Sequence, residues 1–425
     1  MKVVVLGLWH LGCVTAACCA KFVNVVGLDF DQQTVVQLKE GKPPIFEPGL
    51  TDLIQEGLTS RRLAFESDPV IGLDGADLLW VTYDTPVDDE DKPDVSPVLE
   101  GIDRCVRLLS DNAMVLISSQ VPVGTCYLLE RRYPGQQFAY SPENLRLGKA
   151  IEIFLHPDRI VLGTRRDVDF ARLSELLNNF STNILHVRTE SAEMIKHAIN
   201  AFLALSITFM NEIARVCEQL GADAREVERG LKSEARIGLK AYLSPGGPFA
   251  GGTLARDVMT LDHLANQIGE NLILIPAIKV SNDQHKKWAT EKLSEELGPL
   301  AGKRVAVLGL TYKPNTDTLR RSLAIELCRS LIKQGVTITA FDPVVAAMPA
   351  DLRGISITRS VSEAIKGVDA MVVATEWPQL LDTNWHDAVT LMNRPIIVDA
   401  NGFLRSSLSE LSGVKYRSVG TPKTL

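Results

Sequence analysis

Lys2-Val3-Val4-Val5-Leu6-Gly7-Leu8-Trp9-His10-Leu11-Gly12 opens the chain, and further on Val23-Asn24-Val25-Val26-Gly27-Leu28 leads into Asp29. An uninterrupted valine-rich run reads as a strand buried on both faces. Glycines at 7 and 12 punctuate it, residues 11–20 are small and apolar as in a packed helix, and 23–28 is a second strand. Strand, turn, helix and strand in this order make a parallel βαβ unit. The same opening superficially resembles an export signal. However, Gly7, His10 and Gly12 break the apolar run and a strand follows at once, so the segment is expected to belong to the fold.

A strand-to-helix turn of this kind aims backbone N–H groups and the positive end of a helix dipole at an anion. Gly7, Leu11 and Gly12 are therefore the candidate pyrophosphate cradle, with Trp9 standing where the middle glycine of such turns lets the backbone approach most closely. An acid closing the second strand hydrogen-bonds an adenosine ribose and repels a 2′-phosphate, so Asp29 points to NAD as the cofactor. The plain alternative is a glycine turn that only packs helix on sheet; the complete strand-turn-helix-strand-Asp context favours the dinucleotide.

Short apolar strands at 78–82, 113–118, 138–140 and 160–162 alternate with helical stretches, as in a doubly wound sheet. One long helix follows over 191–220, with Ser191 as N-cap, Glu193 in its first turn and Gly221 as its stop; a helix so apolar must be covered. Its core, 198–210, is too short for a membrane span, which needs about 20 residues. Helical segments at 223–231 and 254–267 lead to the polar linker 291–302. Then strand 304–308, helix 322–334 and strand 336–341, ending in Asp342-Pro343, repeat the opening pattern. The expected fold class is α/β, with two Rossmann-like doubly wound domains joined by a long central helix and a helical middle domain. Its divisions are 1–188, 189–300 and 301–425.

The 425 residues, 45% hydrophobic and 23% charged, suit two or three globular domains and exclude a disordered or fibrous chain. A net charge of −7 argues against nucleic acid and anionic membrane as partners. Cysteines at 13, 18, 19, 105, 126, 217 and 328 fit neither a disulfide framework nor a metal site, so the expected compartment is the reducing cytoplasm, with no metal.

Further blocks include Ile45-Phe46-Glu47-Pro48-Gly49-Leu50, Thr85-Pro86, Val121-Pro122-Val123-Gly124-Thr125, Ser141-Pro142-Glu143, Lys196 with Asn200, and Gly309-Leu310-Thr311-Tyr312-Lys313-Pro314-Asn315-Thr316-Asp317. With these in order along nearly the whole chain, the sequence resembles the UDP-sugar and GDP-sugar 6-dehydrogenases. The resemblance implies an N-terminal NAD domain, a homodimer formed through the central helix, and a C-terminal domain holding a nucleoside diphosphate sugar, a UDP-sugar above all. It implies oxidation of the sugar C6 alcohol to a carboxylate with two NAD, through a cysteine-bound thiohemiacetal and thioester. It places Thr85 and Gln120 at the cofactor, and Tyr242, Gly246, Phe249, Gly251, Lys313 and Arg320 at the substrate. Glycines of the loop 246–252 would turn backbone N–H groups toward the diphosphate.

Three positions depart from the family. The nucleophilic cysteine is Thr253, which after Gly251-Gly252 also reads as a helix N-cap. The glutamate before Gly148 is Leu147, and the threonine before Val121 is Gln120. All three bear on the second oxidation and on hydrolysis. For the first oxidation there remain Lys196 and Asn200, four apart on one helix face, to orient the C6 oxygen, Asp257 to take its proton, and Glu143 to contact the substrate. The expectation is an NAD-dependent nucleotide-sugar dehydrogenase acting on CH–OH, stopping at the 6-aldehyde or reaching the acid through its hydrate. A catalytically silent nucleotide-sugar-binding homologue and a redox-neutral NAD-dependent enzyme are the rival readings.

Overall fold

The computed structural model describes every residue except 87–92, 144, 409 and 423–425. Two compact units make up the chain, Met1–Ile199 and Asn200–Leu425.

In the first unit, eight strands form one sheet. They are β1 (Lys2–Leu6), β2 (Asn24–Leu28), β3 (Leu63–Glu66), β4 (Leu78–Val81), β5 (Met114–Ile117), β6 (Gln137–Tyr140), β7 (Ile160–Gly163) and β8 (Ile184–Val187), in the order 3-2-1-4-5-6-7-8. Every pairing is parallel except β6 with β7, which meet antiparallel through Tyr140 and Gly163, so the sheet is mixed. Val3, Val4, Val5 and Leu6 are fully buried, as a central strand with both faces covered requires. Helix α1 (His10–Cys19) is buried from Leu11 to Cys19. Its small residues permit that close packing: a Cβ on Gly12 would fall 1.8 Å from the Gly7 carbonyl oxygen.

The second unit holds a six-stranded, wholly parallel sheet of β9 (Arg304–Leu308), β10 (Thr337–Phe341), β11 (Ser356–Ile357), β12 (Ala370–Val373), β13 (Ile396–Asp399) and β14 (Lys415–Arg417), ordered 11-10-9-12-13-14. Both sheets therefore reverse direction beside their first strand, the crevice where open α/β sheets take ligands.

The long helix α2 runs Thr189–Leu220. It starts two residues before the expected Ser191 cap and ends, as expected, at Gly221 with φ +80°. Its polarity is partly inverted. Glu193, Lys196, His197, Asn200, Asn211 and Glu218 are buried, whereas Phe202, Phe209, Val216 and Leu220 are exposed. Among the described residues it is the one helix long and apolar enough to cross a membrane by length and composition. Two further helices, α3 (Thr253–Gln267) and α4 (Leu274–His285), form a hairpin in the same unit, and α5 (Leu323–Lys333) follows β9.

Candidate active site

The turn after β1 has the shape the glycines foretold. Gly7 sits at φ +94°, donates to the Leu28 carbonyl at 2.9 Å, and leaves no room for a Cβ beside Tyr83. Trp9 occupies the N-cap of α1 with an ordinary φ of −92° and is exposed, so a side chain at the middle position leaves the turn intact. Asp29 accepts the Leu8 N–H at 2.7 Å through Oδ2 and the Asp31 N–H at 2.9 Å through Oδ1. The carboxylate is thus locked at the end of β2 with lone pairs to spare for a ribose. A cradle that tolerates no Cβ at 7 or 12, with a fixed acid beside it, fits NAD. Thr85 donates to the Gln120 carbonyl at 2.5 Å, joining the loops after β4 and β5.

The first turns of α2 bind the loops that follow β5 and β6. Lys196 is 7% exposed and donates from Nζ to the Glu143 carbonyl at 2.6 Å, so this lysine is not a solvated surface charge. Glu143 itself accepts the Leu145 N–H; Asn144, between them, lies outside the described residues. His197 donates from Nε2 to the Val121 carbonyl at 3.0 Å, and Glu193 accepts the Gly124 and Cys126 N–H groups. Glu47 acts similarly on the block 148–150, accepting the Gly148 and Ala150 N–H groups at 2.8 Å each and the His10 Nε2–H at 2.9 Å. Glu193, His197 and Glu47 received no role from sequence. The available signal was charged or polar side chains set among apolar neighbours.

In the second unit, Asn200 on α2 donates from Nδ2 to Oδ2 of Asp257 on α3. Asp257 is fully buried and Asn200 5% exposed, so the pair forms a dry carboxylate held by an amide. Thr253 does not cap α3: Gly252 takes the N-cap position at φ +107°, without a side-chain bond, and Thr253 is the exposed first residue. Arg321, itself at φ +61°, lies against Gly252, within 4.0 Å of the position a Cβ would take.

The glycine loop departs from expectation. Its N–H groups at 246, 247 and 249 do not face outward to a diphosphate, because Asn211, Asn401 and Asn282 accept them at 3.1, 2.6 and 2.9 Å. His285 donates from Nε2 to the Gly246 carbonyl at 2.8 Å while Nδ1 accepts from Arg215. Burial holds its pKa down at about 4, which matches a neutral ring used at both nitrogens. Phe249 is buried against Ala201, Ala204, Ala255, Val258 and Ile278, so its ring braces the loop. Tyr242 and Arg320 are exposed; Gly251 and Lys313 are half-buried.

All seven cysteines are unpaired and buried. Burial pushes the thiols of Cys13, Cys18, Cys105 and Cys328 up to about 12, and those of Cys19, Cys126 and Cys217 above their ordinary range. None is an accessible thiolate.

Comparison with known proteins agrees with this geometry. Three domain profiles of the UDP-glucose/GDP-mannose dehydrogenase family match in succession, the NAD-binding domain over 1–181, the central domain over 190–284 and the UDP-binding domain over 306–406. A UDP-glucose 6-dehydrogenase of Bacillus subtilis is 31% identical over 99% of this chain and 93% of its own. That of Rhizobium meliloti is 33% identical over 99% of this chain and 100% of its own. A solved UDP-glucose dehydrogenase from the hyperthermophilic archaeon Pyrobaculum islandicum superposes with a TM-score of 0.86 at 28% identity, covering 99% of this chain and 97% of that one. Fold and cofactor site thus define an NAD-dependent nucleotide-sugar dehydrogenase acting on CH–OH. The chain belongs to the UDP-glucose/GDP-mannose dehydrogenase family.

Proposed function

We propose that this protein oxidises the C6 alcohol of a nucleoside diphosphate hexose, with UDP as the nucleotide, and releases the 6-aldehyde. One observation carries the reading: α3, which bears the buried Asp257, begins with an exposed Thr253 at the position where the family resemblance implies a nucleophilic cysteine, and no cysteine in the chain is accessible. A hydroxyl with no dedicated base is a poor trap for an aldehyde.

Bound NAD supplies the hydride acceptor for the C6–H bond. Gly7, Leu11, Gly12, Asp29, Thr85 and Gln120 hold that cofactor. Lys196 and Asn200, one turn apart on α2, orient the C6 oxygen and stabilise charge as the O–H proton departs. Asp257, kept dry and hydrogen-bonded to Asn200, receives the proton. One C–H and one O–H bond break, one C=O forms, and two electrons leave the sugar. Glu143 contacts the substrate, and Gly251, Lys313 and Arg320 serve the diphosphate and sugar. Tyr242, Gly246 and Phe249 shape the substrate loop, with the Gly246 and Phe249 N–H groups already spoken for by asparagines. Functional segments run 1–188 for the dinucleotide, 189–300 for pairing two subunits through α2, and 301–425 for the nucleotide. Seven unpaired thiols support a reducing, cytoplasmic setting.

The test incubates UDP-, GDP- and dTDP-hexoses with NAD and quantifies NADH and product by mass spectrometry, with hydroxylamine present to capture aldehyde. The expected result is one NADH per UDP-sugar and a captured oxime. Two NADH with rapid accumulation of the uronate would show that the reaction runs on through the hydrate.

A further inference from the structure

Gly124 begins the helix Thr125–Arg132 in a left-handed conformation and has no side chain with which to cap it. The cap comes from Glu193, 69 residues away: Oε2 accepts the Gly124 N–H at 2.6 Å and Oε1 the Cys126 N–H at 2.9 Å. A carboxylate at a helix N-terminus is favoured by the dipole and by charge-assisted bonds. Glu193 is fully buried, however, and that burial drives its pKa upward in spite of both bonds. A costly buried acid used only to fill space would be better replaced by an apolar residue.

What the acid fixes is the loop 120–126. Gln120 O accepts from Thr85, Val121 O from His197 one turn along α2, and Pro122 O from the Thr125 hydroxyl at 2.6 Å. Between Glu193 and His197 stands Lys196, gripping the loop after β6. A single stretch of helix therefore sets the position of two loops at the carboxyl end of the first sheet.

We propose that Glu193 is a positioning residue for the cofactor: through Gly124 and Cys126 it holds the loop 120–126 so that Gln120 and Thr85 stand ready for NAD. The proposal rests on the assignment of Thr85 and Gln120 to the cofactor pocket. Glu193 touches no reacting atom; its contribution is expressed as affinity for NAD.

The test uses the full chain. Glu193→Gln, near in shape but able to accept only one of the two N–H groups, is titrated calorimetrically with NAD and separately with UDP, under conditions where circular dichroism shows a native fold. The NAD Kd should rise about tenfold, as a displaced binding loop would cause, with the UDP Kd unchanged. His197→Phe, which removes the Val121 bond and leaves Glu193 in place, should raise the NAD Kd roughly threefold and stands in should Glu193→Gln not fold. Thr85→Val and Gln120→Ala are titrated alongside. If these two weaken NAD while Glu193→Gln and His197→Phe do not, the positioning role is wrong. If none of the four weakens NAD, the pocket assignment fails and the proposal falls with it. Equal weakening of NAD and UDP would mark a general loss of structure and would equally overturn it.

Discussion

Asp29 and Asp342 end the second strands of two separate sheets, and each accepts the N–H of the leucine after a turn glycine, Leu8 at 2.7 Å in one and Leu310 at 2.7 Å in the other. The turn glycines correspond too: Gly7 at φ +94° donates to the Leu28 carbonyl, Gly309 at φ +83° to that of Phe341. The two acids differ in what else they hold. Asp342 also accepts the Thr311 N–H and the Trp377 indole N–H and is 5% exposed, whereas Asp29 is half-buried with acceptor capacity remaining.

Asp29 should therefore determine cofactor choice. Its carboxylate repels a 2′-phosphate, so the protein should bind NAD more tightly than NADP, and Asp29→Ala should narrow the gap by weakening NAD and relieving NADP. Fluorescence titration with both cofactors checks this. Equal affinities in the unaltered protein would refute the ribose assignment.

For Asp342 the expected effect is on stability instead. Asp342→Ala leaves the Leu310, Thr311 and Trp377 donors unpaired inside the second unit, a loss of about 3 kcal/mol or more. Urea denaturation should show the midpoint fall, with NAD affinity retained by the folded fraction. A midpoint within error of the parent would mean that those N–H groups find other partners.

Acid should destabilise the chain partly through His285. The ordinary imidazole value is 6.5 and the folded one about 4, lowered by burial. Between these values the unfolded chain carries the extra proton, so this contribution is complete above pH 6.5, is lost as pH falls, and is exhausted below about 4. The full span is at most about 3 kcal/mol. His285→Gln keeps a donor for the Gly246 carbonyl without titrating, so its stability should decline less between pH 7 and pH 5 than the parent's.

Phe202, Phe209 and Val216 recur at heptad spacing on the exposed side of α2, 67%, 45% and 54% accessible. A stripe of this kind calls for a partner helix, and the proposed partner is the same helix of a second subunit. Light scattering should give a dimer for the parent and a monomer for a Phe202→Glu, Phe209→Glu double variant. A parent that stays monomeric and active on dilution would remove this use of the stripe.

The two sheets were legible because their central strands are short apolar runs dominated by valine, leucine and isoleucine, a local signal. The edge strands β3, β8, β11 and β14 escaped sequence reading. They are two to four residues long and mix polar with apolar side chains, as in Leu63-Ala64-Phe65-Glu66 and Lys415-Tyr416-Arg417. The antiparallel join of β6 to β7 leaves no local trace either. At the site, the placement of Asp29 followed from the strand it ends. What sequence could not supply was the bracing of loops by distant side chains: Glu193 on Gly124, Glu47 on Gly148 and Asn282 on Phe249 are each unremarkable polar residues until the fold brings a bare N–H to them. For the same reason the glycine loop looked open to a diphosphate, while three asparagines had already taken its donors.

The burial of every sulfhydryl bears on chemical durability. Peroxide and alkylating reagents attack cysteine through its thiolate, and enzymes that work through an exposed cysteine are silenced by both. Here every cysteine sulfur is shielded and reluctant to ionise, and Thr253, where the family resemblance implies a nucleophilic cysteine, carries an alcohol inert to either reagent. If catalysis is thiol-independent, as proposed, the protein should need no added reductant and should keep working during oxidative stress that stops a thiol-dependent counterpart.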